Sequence, residues 1–348
     1  MRRVALILCF LLPCLSGMAQ QKHIEVAVNG SYMMTNNSSY WGSNAFGFGV
    51  DAAWWYRTTG DAWWMLRRQH PSFGIKVSYE HIPDGIAGDR FGIVGLLRGS
   101  FLPGVEWLEW NIGPGFSLYT KSAKITGDKT NVFISSALNC LIDFGLTAHL
   151  NERMTLGARL LHTSNGMLSR PNQGLNYIQL DVGVKFGDTE KLPLVECPDT
   201  SFMRHELGFT LSPGVAMTRY EPLDGYYPCY DLSLNYLYYV DPVVAFGVTA
   251  DLWYSFVDNE LKKRYNVEWP VPCYLSVMPT AEGFWGPVSI KAGMGANLLT
   301  SDLIGIKIYE RVGVYYNWNR HYAGVAIHAH AGQIMFIEWS WGMRFAMC

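Results

Sequence analysis

Charged residues are scarce in this chain of 348 residues, because Asp, Glu, Lys and Arg make up only 16% of it, against roughly 25% in a typical soluble domain. Beyond the N-terminal segment, charged residues, Asn or Gly interrupt every apolar run before it is long enough for a membrane-spanning helix. Aromatic residues, in contrast, reach 14%. Few charges, many aromatic residues and no spanning helix are together typical of a transmembrane β-barrel.

The cysteines form no recognisable framework. Of the seven, Cys9 and Cys14 lie in the N-terminal apolar segment, and the other five are widely spaced without a Cys-x-x-Cys pair. This spacing fits neither a zinc site nor a dense disulfide scaffold; a bridge between Cys229 and Cys273 is the one pairing we consider. Cys140 is interpreted as an apolar, lipid-facing side chain. The net charge of −2 gives no indication of a nucleic-acid partner, and we predict no metal or cofactor.

The N-terminus has the form of a secretory signal peptide. Arg2 and Arg3 precede an apolar run over 4–15, and the small residues Gly17 and Ala19 follow it, which is the order that export signals share. We expect cleavage after Ala19, so that the signal peptide covers residues 1–19 and the mature protein is exported.

From residue 20 onward, apolar and polar residues alternate in strand-like runs. Eight runs fall within 20–187 and eight within 204–348, and a proline-containing linker at 188–203 separates the two halves. We predict an all-β fold, an antiparallel transmembrane β-barrel of about 16 strands in two related eight-strand halves. Two tandem eight-stranded barrels are the alternative. When the two halves are aligned, His162 corresponds to His328. The second half is expected to lack a nucleophile.

The hairpin that follows the seventh run carries the candidate catalytic residues. Even positions of 154–160 are apolar, and because side chains alternate between faces, His162 and Ser164 share that apolar face. A histidine this close can activate a serine as a nucleophile. Asn176, across the hairpin, can orient the histidine, and the side chain of Asn165 or nearby backbone N–H groups can stabilise an oxyanion.

The position of this hairpin indicates what it would act on. If the N-terminus is periplasmic, odd-numbered strands run outward, so the seventh strand ends at the outer surface of the membrane. Ser164 then faces the outer leaflet of a Gram-negative outer membrane, where the lipid is lipopolysaccharide. Topology and side-chain parity therefore place a candidate nucleophile beside the acyl chains of lipid A.

The residues His162-Thr163-Ser164-Asn165, followed by Pro171-Asn172-Gln173-Gly174, resemble the active-site region of the outer-membrane lipid A 3-O-deacylases, the PagL-type acyloxyacyl hydrolases. The resemblance covers about residues 22–187. It implies that Ser164 is the nucleophile, His162 the general base, Asn165 an oxyanion-binding or positioning group, and Asn172 a support of the turn. The catalytic glutamate of the family falls at Asn176, so an amide stands where a carboxylate is expected.

We therefore expect an outer-membrane serine esterase, a carboxylic ester hydrolase, that removes an ester-linked acyl chain from lipid A without a cofactor. Its partner is lipopolysaccharide in the outer leaflet, and the cell outer membrane is its expected location. The alternative is a non-catalytic barrel derived from such an enzyme, serving as a pore or as a lipid-binding or structural protein. No oligomeric state is predicted.

Overall fold

The structure is a computed structural model. It describes residues 20–34, 45–83, 85–101, 105, 107–128, 130–166, 169, 172–188, 205–217, 225–266, 273–299, 307–330 and 333–347. The expected signal peptide at 1–19 lies outside these residues, and so does the expected linker except for its first residue, Asp188. In the turn after Ser164, residues 167, 168, 170 and 171 also lie outside them, which includes Pro171 of the motif. None of the described helices has both the length and the apolar character needed to cross a membrane.

The first eight strands form one closed antiparallel barrel. They are β1 (Gln20–Met34), β2 (Ala45–Thr58), β3 (Ser72–His81), β4 (Arg90–Ser100), β5 (Leu108–Tyr119), β6 (Leu138–His149), β7 (Met154–Ser164) and β8 (Leu175–Gly187). Two short helices lie in connections, α1 (Trp63–Arg67) between β2 and β3 and α2 (Ala123–Thr126) between β5 and β6. Each strand pairs with the next along the chain, and β8 returns to pair with β1.

The remaining eight strands form a second closed antiparallel barrel. They are β9 (His205–Met217), β10 (Tyr226–Asp241), β11 (Val244–Ser255), β12 (Cys273–Trp285), β13 (Val288–Leu299), β14 (Ile308–Trp318), β15 (His321–His330) and β16 (Gln333–Met347). The helix α3 (Phe256–Tyr265) connects β11 to β12. Closure is made by β16, which pairs with β9.

The all-β, antiparallel barrel architecture predicted from the alternating runs is confirmed, in its tandem form. The chain divides into two compact units, with β1–β8 in one and β9–β16 in the other. The single sixteen-stranded barrel that we placed first does not form. Its absence has a simple cause: β8 pairs with β1 from Gly187 opposite His23 to Asn176 opposite Met34, and a closed sheet leaves no edge strand for β9 to extend.

Polar side chains fill the interior of the first barrel. Arg159 donates hydrogen bonds to Asp181 at 2.9 Å and Asn111 at 2.7 Å, and its guanidinium lies 3.4 Å from Asp143. Lys76 forms a further ion pair with Asp143. The interior of an eight-stranded barrel is just wide enough for side chains to fill it, so these ion pairs occupy the place of a core.

The outer surface of this barrel is apolar, as the alternating pattern predicts. Along β7, residues 154, 156, 158 and 160 are exposed, while residues 155, 157, 159 and 161 are buried. Cys140 on β6 is exposed on the same outer side, which agrees with its interpretation as a lipid-facing residue. Cys229 and Cys273 are both free, so the disulfide considered between them is wrong.

The second barrel has its own interior ion-pair cluster, centred on Arg311. The guanidinium lies 3.0 Å from Asp231 and 3.0 Å from Asp251, and it also pairs with Glu338. His328 is fully buried, with its ring 4.4 Å from that of Tyr309. The imidazole therefore points into the barrel, whereas His162 lies on an outer face. The correspondence that we drew between His162 and His328 does not hold for the direction of the two side chains.

Candidate active site

The β7–β8 hairpin brings His162 and Asn176 together. The two residues are directly opposite each other in the antiparallel pair, where Cβ atoms lie roughly 4.5–5.5 Å apart. The imidazole Nδ1 of His162 is 2.8 Å from the amide oxygen Oδ1 of Asn176. Because an amide oxygen only accepts, Nδ1 carries the hydrogen and donates it. The other ring nitrogen, Nε2, then presents a lone pair, which is the tautomer that a general base needs.

Ser164 lies at the end of the same strand, two residues beyond His162 and on the same face. Exposure falls along this face from 54% at Leu160 to 6% at Ser164, so the hydroxyl sits where the lipid-facing surface passes into a packed loop. The structure describes both side chains and has no hydrogen bond between Ser164 and His162. Residues i and i+2 of a strand are about 6.6 Å apart along the chain. The bond therefore requires rotation of the side chains, and catalytic hydrogen bonds often close only when substrate binds.

Gly174 lets the chain return close to the imidazole. Its φ is +74°, a left-handed conformation that glycine adopts without steric cost. A Cβ at this position would lie 3.0 Å from Cε1 of His162 and 3.0 Å from the carbonyl oxygen of Thr163. The glycine of the Pro-Asn-x-Gly motif thus has a local physical explanation, because any side chain here would press on the histidine.

Asn165 holds the turn that follows Ser164. Its Nδ2 donates hydrogen bonds to the hydroxyl of Ser135 at 2.7 Å and to the carbonyl oxygen of Ser169 at 2.8 Å. Its backbone N–H donates to Oδ1 of Asn172 at 2.9 Å. An asparagine amide has two hydrogens to donate, and both are in use. Of the two roles expected for Asn165, this geometry favours positioning over oxyanion binding.

The segment 131–135 packs beneath the site, although the sequence predicts no functional role for it. The carbonyl oxygens of Val132 and Phe133 accept hydrogen bonds from the backbone N–H groups of Gln173 at 3.2 Å and Gly174 at 3.1 Å. The hydroxyl of Ser135 donates to the carbonyl oxygen of Ser169 at 3.0 Å. The alternating pattern predicts a strand over 133–150, but β6 begins only at Leu138, so residues 133–135 lie in an irregular segment before it. A sequence signal existed, since two serines, Ser135 and Ser136, stand inside an apolar run.

Polar contacts fix the start of this segment. Asn131 accepts hydrogen bonds at Oδ1 from the backbone N–H groups of Phe133 at 3.2 Å and Ile134 at 3.1 Å. Just before it, the hydroxyl and the backbone N–H of Thr130 donate to Asp128. These hydrogen bonds lower the pKa of the Asp128 carboxyl below its usual value because they favour its charged form.

Apolar side chains surround the candidate site on the outer face. Cys140 is directly opposite Ser164 in the β6–β7 pair, and Ile142 is opposite His162. Both are exposed, and Leu160 continues the surface along β7. Across the described part of the chain, His, Cys, Asp and Glu side chains form no group of three or more that could hold a metal ion. The site therefore consists of a serine and a histidine whose Nδ1 is bonded to Asn176, with an exposed apolar surface beside them.

Comparison with known proteins gives matches for both halves of the chain. Residues 25–185 match the family model described as lipid A 3-O-deacylase (PagL), and residues 205–347 match the model described as the C-terminal domain of acyloxyacyl hydrolase. A search of curated proteins finds no match.

Two solved structures are among those similar to part of the chain. The first is the outer membrane enzyme PagL, with 16% identity, a TM-score of 0.32, and coverage of 45% of this chain and 98% of that one. The second is Neisserial surface protein A, with 11% identity, a TM-score of 0.30, and coverage of 48% and 97%. The family matches lie on the two barrels in turn, with the His-x-Ser-Asn hairpin inside the first. The chain belongs to the lipid A 3-O-deacylase (PagL) family of acyloxyacyl hydrolases.

Proposed function

We propose that this protein is a serine esterase of the Gram-negative outer membrane that hydrolyses an ester-linked acyl chain of lipid A. One observation carries the proposal. The hydrogen bond from His162 Nδ1 to Asn176 leaves Nε2 free to act as a base on the same outer strand face as Ser164. Family membership supports the substrate class.

In the proposed reaction, Ser164 Oγ attacks the carbonyl carbon of the acyl ester while His162 Nε2 accepts the hydroxyl proton. The tetrahedral intermediate collapses when the bond to the alcohol oxygen of the lipid breaks, and His162 donates the proton to that leaving oxygen. Water then attacks the acyl-enzyme with His162 again as the base. The products are a free fatty acid and lipid A with one acyl chain fewer.

Asn176 orients the histidine in this scheme, but as a neutral amide it stabilises the imidazolium less than a carboxylate does. Asn165 positions the turn. Asn172 accepts the Asn165 backbone N–H at its Oδ1, which places its side chain beside the residue that follows Ser164. We assign Asn172 support of the turn and, as the family resemblance suggests, a candidate role as a donor to the oxyanion.

The outer face of β6–β7 would receive the substrate. Cys140 and Ile142 lie directly opposite Ser164 and His162, and Leu160 extends the apolar surface away from the site. Acyl chains gain free energy by covering such a surface, roughly 25 cal/mol per Å². With a periplasmic N-terminus, this surface faces the outer leaflet, where lipopolysaccharide supplies the ester.

The proposed domain organisation follows the expectation from the sequence. Residues 1–19 are a cleaved signal peptide, 20–187 the catalytic barrel, 188–203 a linker, and 204–348 a second barrel to which we assign no nucleophile. Nothing described in the first barrel favours the alternative of a pore, because Arg159 and its carboxylate partners fill the interior.

The test is to produce the protein in a Gram-negative outer membrane and compare lipid A by mass spectrometry for the wild type and Ser164→Ala. Thr163→Ala is a matched control, because it removes the neighbouring hydroxyl, which faces the interior and lies 3.1 Å from Ser117 Oγ. We expect loss of one acyl chain in the wild type and Thr163→Ala but not in Ser164→Ala. Unchanged lipid A in a folded wild type would contradict the proposal and favour the non-catalytic barrel.

A further inference from the structure

We infer that Ser135 is a positioning residue of the esterase, whose hydroxyl holds the turn after Ser164 in its catalytic geometry. The inference rests on the proposed function. Ser135 lies 29 positions before Ser164, in the irregular segment that precedes β6, yet its side chain is fully buried against the site loop.

The Ser135 hydroxyl makes two hydrogen bonds that both end on the turn. It accepts from Nδ2 of Asn165 at 2.7 Å and donates to the carbonyl oxygen of Ser169 at 3.0 Å. Asn165 Nδ2 also donates to that same carbonyl oxygen, at 2.8 Å. The three groups therefore close a ring of hydrogen bonds, and only a group that donates and accepts at one atom can complete it, which a serine hydroxyl does.

Asn165 is the residue next to Ser164, so the direction of its side chain constrains the backbone that carries the nucleophile. Without Ser135, the amide of Asn165 keeps Ser169 as an acceptor but loses the bond that ties it to the segment below. The turn would then be free to rotate away from His162. Small misplacements of reacting groups lower the reaction rate strongly. A hydroxyl that does not touch the substrate can therefore still affect kcat.

The other side of the turn is anchored to the same segment. The carbonyl oxygens of Val132 and Phe133 accept hydrogen bonds from the backbone N–H groups of Gln173 and Gly174, and a Cβ at Gly174 would lie 3.0 Å from Cε1 of His162. Residues 132–135 thus hold the serine side of the turn through Ser135 and the histidine side through backbone carbonyls. Only the first of these two anchors depends on a side chain, and this makes it accessible to substitution.

The expected effect is a loss of turnover rather than of substrate binding. Removing one buried hydrogen bond to a positioning amide should lower kcat of Ser135→Ala about tenfold, with KM unchanged within about twofold because no substrate contact is removed. Ser136→Ala is the matched control. Its hydroxyl donates to the carbonyl oxygen of Leu138, the first residue of β6, and not to the site loop, so its kcat should equal that of the wild type.

A double-mutant cycle with Asn165→Ala separates positioning from general loosening. If Ser135 acts through Asn165, Ser135→Ala should cause no further loss in the Asn165→Ala background. Fatty-acid release from lipopolysaccharide in detergent micelles gives kcat and KM, and the rate of Ser164 labelling by a fluorophosphonate gives a second readout. Ser135→Cys, similar in size but a weaker hydrogen-bonding group, should retain the fold and give an intermediate rate if Ser135→Ala does not fold.

The outcomes are distinguishable. A wild type that releases no acyl chain would overturn the proposed function and this inference with it. An active wild type whose rate is matched by folded Ser135→Ala, or by Ser135→Cys where alanine prevents folding, would overturn the role of Ser135 alone. A Ser135→Ala loss that appears undiminished on top of Asn165→Ala would likewise overturn it, because the serine would then act independently of the amide.

Discussion

Replacing Asn176 with aspartate changes the charge beside His162 with little change in shape. The two side chains have the same length and branching, so one oxygen of the new carboxylate can occupy the place of Oδ1, 2.8 Å from Nδ1 of His162. Asn176 is half-buried at the start of β8, which leaves the carboxylate in part hydrated. Asn176→Asp therefore tests what a charge adds to an existing hydrogen bond.

The size of the effect follows from the change in hydrogen-bond type. A neutral hydrogen bond contributes about 0.5–1.5 kcal/mol, and one to a charged group about 1.5–3 kcal/mol. The difference, about 1–1.5 kcal/mol, is realised mainly when the imidazole becomes an imidazolium in the transition state. Since about 1.4 kcal/mol corresponds to a factor of ten in rate, kcat of Asn176→Asp should rise roughly tenfold. Asn176→Leu, which removes the acceptor, should lower kcat by a similar factor or more.

The assay is fatty-acid release from lipopolysaccharide by purified protein in detergent micelles, with folding checked by heat-dependent gel mobility. Two results would refute the reasoning. A fall in kcat of folded Asn176→Asp would mean that the residue does not support the imidazolium. A rise of about 10⁴-fold would match the penalty known for a histidine held in the wrong tautomer, and would mean that the wild-type amide donates to Nδ1 rather than accepting from it.

Three further substitutions test other parts of the structure. Arg159→Met leaves Asp143 and Asp181 buried without their guanidinium partner and should lower the free energy of unfolding by about 3–5 kcal/mol. Urea titration in lipid vesicles measures this change, and unchanged stability would mean that the barrel does not need these ion pairs. Gly174→Ala puts a Cβ 3.0 Å from His162 Cε1 at φ +74°, so it should lower the free energy of unfolding by about 1–2 kcal/mol and also reduce turnover. A wild-type rate of fatty-acid release would show that the added methyl group does not disturb His162. Cys140→Trp covers the surface opposite Ser164 and should raise KM for lipopolysaccharide while Cys140→Ser does not; equal KM values would place the acyl chain elsewhere.

Much of the fold could be predicted because apolar and polar residues alternate along the sequence in the same way that side chains alternate between the two faces of a strand. Leu156 and Leu160 are exposed and Thr155 and Arg159 buried, as the period of two requires. The number of barrels could not be predicted in the same way. Whether β8 pairs with β1 or with β9 is decided by backbone hydrogen bonds between distant strands, and a side-chain pattern does not encode that choice.

The same distinction between local and distant contacts applies to the candidate site. His162 and Asn176 belong to one hairpin, so their contact could be predicted from strand parity and the length of the turn. Ser135 could not, because its contact with Asn165 spans thirty positions of sequence and joins two irregular segments. Parity also misled where its assumed register was wrong, as with His328, which is buried inside its barrel.

The filled interior explains why the candidate site lies on the outside of the barrel. Arg159, Lys76 and their carboxylate partners occupy the interior of the first barrel, so we expect the proposed lipid substrate to bind on the outer face. Polar groups on that face are costly in lipid unless they are paired. Asn165 and Asn176 pair with groups of the protein itself, and the segment at 131–135 lies beneath the turn. The hydrogen bonds that make Ser164 reactive in this scheme are therefore also those that allow a polar site to exist at a lipid surface.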